Sequence, residues 1–330
     1  MKIAVVGLGW WGTQIIACLS KSARFKILYG VDPNPTAEAA ALAMKAQIKI
    51  TADLAEVLND PAVEGVVLAT PHAMHEEQII VSVGAGKNVF CEKPLTMTVR
   101  GAERVVGACG KAGKVLGIGH ERRWEPGFEE LRGLIKSGAL GRILHMDANV
   151  SHDLFTRLDA SNWRLDPTHA PAGMMTAVGI HLTDLFIDFV GPAREVRAQT
   201  ARMVFQPPAE DFICASFEFK SGTRATLTSL SATPFYGRFT VFGDEGWVEL
   251  VHEANVDKYK PTILTHQGGG TRRTVVHDAI DTVTLNFEAW ADAVAGGVPY
   301  RFTGDQLIEN IRLFEAIVKS SRQGGAAITL

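Results

Sequence analysis

The feature that most constrains this chain is a glycine pattern close to its start. Gly7-Leu8-Gly9-Trp10-Trp11-Gly12 follows directly on the short apolar run Ile3–Val6 and opens onto a helical pattern at Gly12–Ser20. In a strand that passes through such a loop into a helix, the first glycine permits a tight turn. The second lets backbone N–H groups approach a pyrophosphate, and the third lets the helix pack closely on the strand. The helix N-terminus then offers unpaired N–H groups and the positive end of its dipole to phosphate. Six residues alone are weak evidence, and a Gly-rich turn without a ligand is the competing reading. Asp32 favours the first. It closes the next apolar run, Ile27–Val31, about twenty residues further on, where an acidic side chain hydrogen-bonds ribose hydroxyls. Gly7, Gly9, Gly12 and Asp32 are therefore candidate dinucleotide-binding residues. The Asp32 charge would repel a 2′-phosphate, and Pro33-Asn34-Pro35 supplies no base to neutralise one, so NAD is expected rather than NADP. Trp10 and Trp11 either close over the pyrophosphate or pack between domains.

The rest of the first third repeats the rhythm. Apolar runs at Val63–Ala69, Asn88–Cys91 and Val115–Ile118 alternate with helical patterns at Thr36–Met44, Asp53–Leu58, His75–Gly84 and Val99–Ala112. Strands apolar on both faces and separated by helices imply a parallel sheet with covered faces. After residue 120 the plan changes. Helical patterns at Pro126–Ser137 and Met175–Phe189 precede strands of period two at Phe212–Phe219, Thr223–Ser229, Phe239–Phe242 and Trp247–Val251. Ser221-Gly222 and Gly243-Asp244-Glu245-Gly246 sit between two pairs of these as hairpin turns. Helical patterns at Val283–Ala295 and Gln306–Arg322 close the chain. The expected fold class is α/β: a Rossmann domain over residues 1–120, then an α+β domain over 121–330 with a mostly antiparallel sheet. The final helix is a candidate to pack back on the first domain.

Composition narrows the function. With 330 residues, two cores are expected. A formal charge of −3 exerts no global pull on nucleic acid or an anionic membrane, and no apolar run approaches the ~18 residues that span a bilayer. The start of the chain lacks the shape of a secretory signal, and its four cysteines show no metal-type spacing. A cytoplasmic protein without a metal, a nucleic-acid partner or a membrane partner is expected. Cys91 reads as a small buried thiol.

In an open α/β sheet chemistry collects beyond the carboxyl ends of the strands. There lie Ala69-Thr70-Pro71-His72, Cys91-Glu92-Lys93-Pro94 and Gly117-Ile118-Gly119-His120-Glu121-Arg122-Arg123-Trp124. A partly desolvated Lys93 near a cationic ring would have its charged form disfavoured, moving its pKa toward neutrality and suiting it to exchange a proton with a hydroxyl. For an arbitrary Glu-Lys pair, a surface lysine beside its own glutamate is the simpler reading.

The combination of motifs changes that weighing. GxGxxG, Thr70-Pro71 with His75, Gly86-Lys87 leading to Glu92-Lys93-Pro94-Leu95, Arg122-Arg123-Trp124 with Pro126, Gly179-Ile180-His181-Leu182-Thr183-Asp184 and Thr303-Gly304-Asp305 occur in order along nearly the whole chain. Together they resemble the Gfo/Idh/MocA family, which includes glucose–fructose oxidoreductase, inositol 2-dehydrogenases and related sugar dehydrogenases. The resemblance implies a Rossmann domain followed by a domain with a large, open, mostly antiparallel sheet that often carries oligomer contacts, hence a homodimer or homotetramer. It assigns proton transfer to Lys93, places His181 beside the substrate carbon, and lines the cofactor with Thr70, Pro71, His75, Glu92 and Lys93. It also marks a departure: where many members carry an aspartate four residues before the helix histidine, this chain has Ala177. Thr176 or Asp184 are the candidate replacements. Arg122, Trp163 and Arg164 complete the expected substrate residues, though a packed loop around Trp163 and an arginine bridging carboxylates are equal alternatives.

The implied reaction is hydride transfer between nicotinamide C4 and a secondary carbinol or carbonyl of a small polyhydroxylated substrate. A member using bound NAD transiently, in lyase- or glycosidase-like chemistry, and a non-catalytic NAD-binding redox regulator are the other readings. Retention of Lys93 and His181 disfavours the regulator.

Overall fold

The computed structural model describes residues 1–206 and 208–330 and divides the chain into two compact units. One comprises Met1–Glu121 with Val283–Ile311, the other Arg122–Thr282 with Arg312–Leu330.

The first unit is built on β1 (Lys2–Val6), α1 (Trp10–Leu19), β2 (Lys26–Val31), α2 (Ala37–Lys45), β3 (Lys49–Thr51), α3 (Leu54–Asn59), β4 (Gly65–Leu68), α4 (His75–Gly84), β5 (Asn88–Cys91), α5 (Val99–Lys111) and β6 (Leu116–Ile118). Its six strands are all parallel, in the order β3-β2-β1-β4-β5-β6. The order reverses between β1 and β4, so the loops beyond these strands flank the switch point where such sheets bind ligands. Helix starts follow local chemistry: the hydroxyl or carboxylate oxygens of Thr36, Asp53 and Thr98 accept N–H bonds from the first turns of α2, α3 and α5. β3 was not expected, because Lys49-Ile50-Thr51 is short and half exposed.

The second unit contains α6 (Pro126–Lys136), β7 (Ile143–Ser151), α7 (Gly179–Val190), β8 (Ala193–Ala201), β9 (Phe212–Phe219), β10 (Arg224–Leu230), β11 (Tyr236–Gly243), β12 (Gly246–His252), β13 (Thr262–Gly268) and β14 (Thr271–His277). After it come α8 (Thr282–Val294), α9 (Gly304–Arg322) and β15 (Ile328–Thr329). Nine strands form one sheet in the order β14-β13-β12-β11-β7-β10-β9-β8-β15, antiparallel except for β7 and β10. The two turns read from sequence join β9 to β10 and β11 to β12 as hairpins. β7 and β8 also alternate, but their inward positions hold Met146, Ala148, Val196 and Ala198, a mixture with modest strand preference.

Each unit has its own core. In the first, α8 delivers Phe287 and Trp290 onto the sheet: Phe90 and Phe287 stack at 3.9 Å, and the Trp290 indole N–H donates to the Val115 carbonyl at 3.2 Å. In the second, Phe128 and Phe186 from α6 and α7 meet Phe239 at 5.2 and 5.4 Å on the covered face of the nine-stranded sheet. Among the described residues no helix is long and apolar enough to cross a membrane.

Candidate functional site

In the first unit the three glycines divide the work as the loop geometry demands. Gly7 has φ +89°, and a Cβ there would lie 2.7 Å from the Ala69 carbonyl carbon and oxygen. At Gly12 a Cβ would fall onto the Gly7 carbonyl oxygen, so α1 presses on the turn. Gly9 opens outward, with nothing within 4 Å of an added Cβ. It also caps α1 without any side-chain hydrogen bond, and the first turn carries no acidic residue. The leading N–H groups of α1 therefore remain available for an anion, and the opening at Gly9 lets one approach; these residues fit a dinucleotide pyrophosphate. Asp32 sits beside the loop, accepting from Leu8 N at 2.7 Å and Asn34 N at 2.8 Å. Trp10 is 59% exposed, whereas Trp11 is half buried against the core of this unit, its ring 5.4 Å from that of Trp10.

The turns after β4 and β5 are tied together by one side chain. His75 is fully buried, with Nδ1 2.8 Å from the Pro94 carbonyl and Nε2 3.0 Å from the Thr70 carbonyl. Burial drives its pKa down and Lys93 adds to that, against the two carbonyls, which favour the charged ring. Both nitrogens face backbone, so His75 braces the turns after β4 and β5 against each other. Thr70 donates its hydroxyl to Gln78 Oε1 at 2.6 Å, and exposed Pro71 leads into the short turn before α4.

Lys93 is half buried, and its neighbour Glu92 is 6% exposed. The Glu92 carboxylate lies against the backbone beyond β6: a Cβ on Gly119 would be 2.6 Å from its Cδ and Oε1. Burial first, and then the charge of Glu121, push its pKa up to about 7. The Trp11 indole N–H, Lys93 and the Lys93 backbone N–H, 3.3 Å from Oε2, pull the other way. The indole N–H favours the charged carboxylate without meeting it in a full hydrogen bond. Burial also raises the Cys91 thiol well above its ordinary range, leaving it inert.

Residues returning from the end of the chain support this edge. Asn286 Nδ2 donates to the Ile118 carbonyl at 2.8 Å and its Oδ1 accepts from the Tyr300 hydroxyl at 2.6 Å; Asn310 Nδ2 lies 3.1 Å from His120 Nε2. Reading the sequence did not single out Asn286, Tyr300 or Asn310, and no short-range pattern marks them.

In the second unit, α7 carries His181 in its first turn, 5% exposed. Thr176, 3% exposed, precedes it by five residues, next to Ala177. Asp184, expected to touch substrate or orient His181, has both carboxylate oxygens held by Arg123. Arg123, with no exposed surface, donates through Nε to its Oδ2 at 2.8 Å and through Nη2 to its Oδ1 at 2.7 Å. Arg123 also reaches Asp188 Oδ1 at 3.0 Å, and Arg132 binds the other Asp188 oxygen. Asp184 thus anchors the helix that presents His181. Arg122 likewise binds the protein itself: it donates to Glu125 Oε1 at 3.0 Å and Asn255 Oδ1 at 3.1 Å, while His252 Nε2 lies 2.8 Å from Glu125 Oε2. Burial alone would raise the Glu125 carboxyl, but Arg122 and His252 outweigh it and hold it below the ordinary range. Trp163 and Arg164 are half buried, the guanidinium 4.4 Å over the indole, and burial lowers the arginine pKa. Among the described residues, no group of His, Cys, Asp or Glu is placed to hold a metal ion.

Two family models match this chain, described as "Oxidoreductase family, NAD-binding Rossmann fold" over residues 1–120 and "GFO/IDH/MocA C-terminal domain" over residues 128–249. The chain belongs to the GFO/IDH/MocA oxidoreductase family. As a member it is an enzyme with an NAD(P)-binding Rossmann domain. Among its GFO/IDH/MocA relatives, the 1,5-anhydro-D-fructose reductase of Ensifer adhaerens is 29% identical over 84% of each chain. The scyllo-inositol 2-dehydrogenase (NADP(+)) IolW of Bacillus subtilis is 23% identical over 83% of this chain and 81% of its own. The structure of aldose-aldose oxidoreductase from Caulobacter crescentus complexed with glycerol superposes with a TM-score of 0.87 at 24% identity, covering 100% of this chain and 99% of that one. At that identity the structural likeness speaks for the shared GFO/IDH/MocA fold alone.

Proposed function

We propose that this protein is an NAD-dependent dehydrogenase acting on a secondary carbinol or carbonyl of a sugar, inositol or sugar-derived substrate. The observation that carries the reading is the open, uncapped Gly9 end of α1, beside Asp32 and within the same unit as the Glu92-Lys93 turn. Bound there, the dinucleotide supplies a hydride acceptor and donor at nicotinamide C4. The chain supplies orientation and proton handling. Gly7, Gly9 and Gly12 with the first turn of α1 hold the pyrophosphate, and Asp32 takes the adenosine ribose. Lys93 as the neutral amine accepts the hydroxyl proton on oxidation and returns it on reduction. His181 hydrogen-bonds the reacting oxygen and keeps it in line. The names of the relatives, a reductase of an anhydrosugar and an inositol dehydrogenase, support a polyhydroxylated substrate. The choice of NAD rests on the Asp32 charge, against a relative named for NADP(+).

Lys93→Met is expected to bind NADH as the wild type does and to lose about 10²–10⁴-fold in turnover. Near-normal turnover would remove Lys93 from the mechanism. Net NADH formation with a panel of sugars, inositols and sugar acids supports the dehydrogenase; bond cleavage without net reduction, or tight binding without turnover, rejects it. We further propose that the open face of the nine-stranded sheet pairs two copies. It exposes Tyr236 and Phe242 on β11, and Phe242 lines a hollow of about 350 Å³ together with Asp147, Arg238 and Trp247. Sedimentation of a monomer at micromolar concentration would reject that pairing.

A further inference from the structure

We infer that Arg164 is a specificity-determining residue that receives a carboxylate of the substrate, which makes the sugar-derived substrate a sugar acid. This rests on the dehydrogenase reading above and narrows it. The half-buried Arg164 guanidinium sits 4.4 Å over the Trp163 ring, and its side chain forms no hydrogen bond or ion pair with any described residue.

Three other arginines withdrawn from water in the same unit each meet a carboxylate: Arg122 meets Glu125, Arg123 meets Asp184 and Asp188, and Arg132 meets Asp188. The acids nearest Arg164 in sequence are instead held by their own turns. Asp159 accepts from the Ser161 N–H at 2.8 Å and its hydroxyl at 2.6 Å, and Asp166 accepts from the Thr168 N–H and hydroxyl, both at 2.8 Å. Attraction to a ring face leaves most of the five N–H donors of a guanidinium unsaturated, and a desolvated charge is costly until an opposite charge meets it. Burial accordingly lowers the Arg164 pKa, with no carboxylate acting against it. The turn that carries the pair is fixed beforehand. Asn162 accepts from the Arg164 N–H through Oδ1 at 3.0 Å and from the Leu165 N–H through its carbonyl at 2.9 Å. Such pre-organisation limits the entropy lost when a ligand binds.

The charges of the segment select the anion. One unpaired cation balances a single negative charge, and the planar fork of a guanidinium matches a carboxylate bidentately. A phosphate carries nearly two charges and calls for a second base. Arg157 is already 3.4 Å from Asp153, and His169 lies 3.9 Å from Asp166. Arg164 belongs to the connection between β7 and α7, the helix that presents His181 in its first turn. One stretch of chain thus carries both the carboxylate receptor and the residue assigned to the reacting oxygen.

Matched probes test this: glucose with glucuronate, galactose with galacturonate, and glucose 6-phosphate, each titrated by calorimetry into the protein saturated with NADH. At least one of the two acids is expected to bind about tenfold or more tightly than its neutral partner. Arg164→Met keeps an apolar stem beside Trp163 and is expected to weaken that acid about 10- to 100-fold while leaving the neutral sugar unchanged. Arg164→Lys should restore only part of the preference, since a point charge cannot replace the fork. A merely structural arginine would weaken acid and neutral sugar alike. Binding of neither acid, acid and neutral sugar bound equally, tighter binding of glucose 6-phosphate, or equal weakening in Arg164→Met overturns the inference. The wild-type titrations decide it even should the variants not fold. The same probes offered with NAD separate the two readings. Arg164-dependent binding of the acid without NADH formation rejects the dehydrogenase and leaves the carboxylate receptor standing; NADH formation from neutral sugars alone does the reverse.

Discussion

Glu92 and Glu125 are both buried glutamates, one at the end of the six-stranded sheet and the other before α6 in the second unit, and their surroundings treat them in opposite ways. Glu125 meets Arg122 and His252, and the three form a closed network whose charge is stabilised. Glu92 meets another acid and one adjacent lysine, and its charge is resisted. The same contrast separates the two units more widely. Around α7 the polar groups are paired for structure, as in Arg123 with Asp184 and Asp188. At the end of β5 in the first unit, burial and the charge of Glu121 instead resist the Glu92 charge. A buried ion pair fixes geometry, whereas a buried group without a matched counter-charge retains chemistry near neutral pH.

The largest effect should come from opening the closed side of this comparison. Arg123→Met leaves Asp184 buried without its bidentate partner and is expected to cost about 3–5 kcal/mol in urea unfolding. Loss below about 1 kcal/mol would show that the network does not hold α7. The next test sharpens the contrast through pH. The folded Glu92 pKa of about 7 lies above its ordinary 4.5, so the folded state binds the extra proton. Its contribution to stability is complete at acid pH and is lost as pH rises through about 7. Relative to the wild type, Glu92→Gln should therefore gain stability with rising pH, by about 3 kcal/mol above neutrality. Glu125, held low, contributes stability at neutral pH that disappears as pH falls through its folded value, so the deficit of Glu125→Gln should shrink in acid. Differences that run parallel with pH in the two variants would break the comparison. The smallest effect concerns the cofactor. Asp32→Ser should shift the ratio of NADP to NAD dissociation constants by about tenfold in favour of NADP. The ratio cancels any loosening of the Leu8 contact, and an unchanged ratio would take cofactor choice away from Asp32.

Much of the first unit was legible because its signals are local. The Gly loop, the apolar strands and the capping residues Thr36 and Asp53 act within a few residues of themselves, and the elements appear where those patterns end. The hairpins of the second unit were legible for the same reason. β7 and β8 were not, since their inward positions carry Met, Ala and Val among charged neighbours, and their pairing is supplied by other strands. At the candidate site, Gly7, Gly9, Gly12 and Asp32 converge on one loop as their spacing implied. His75, Arg122 and Asp184 were visible as motif residues, but whether they face a ligand or bind the protein to itself depends on what packs against them.

The sequence by itself determined that a strand would enter a helix through a phosphate-shaped turn, that an acid would close the next strand, and that a lysine would follow β5, because each depends on neighbours along the chain. Only the tertiary structure decided that Glu121 would share the burial of Glu92, that Arg123 would occupy Asp184, and that Asn286, Tyr300 and Trp290 would return to the first sheet. Those partners lie from 29 to 182 residues apart along the chain, beyond the reach of any periodicity, and packing alone brings their charges and hydrogen bonds into range.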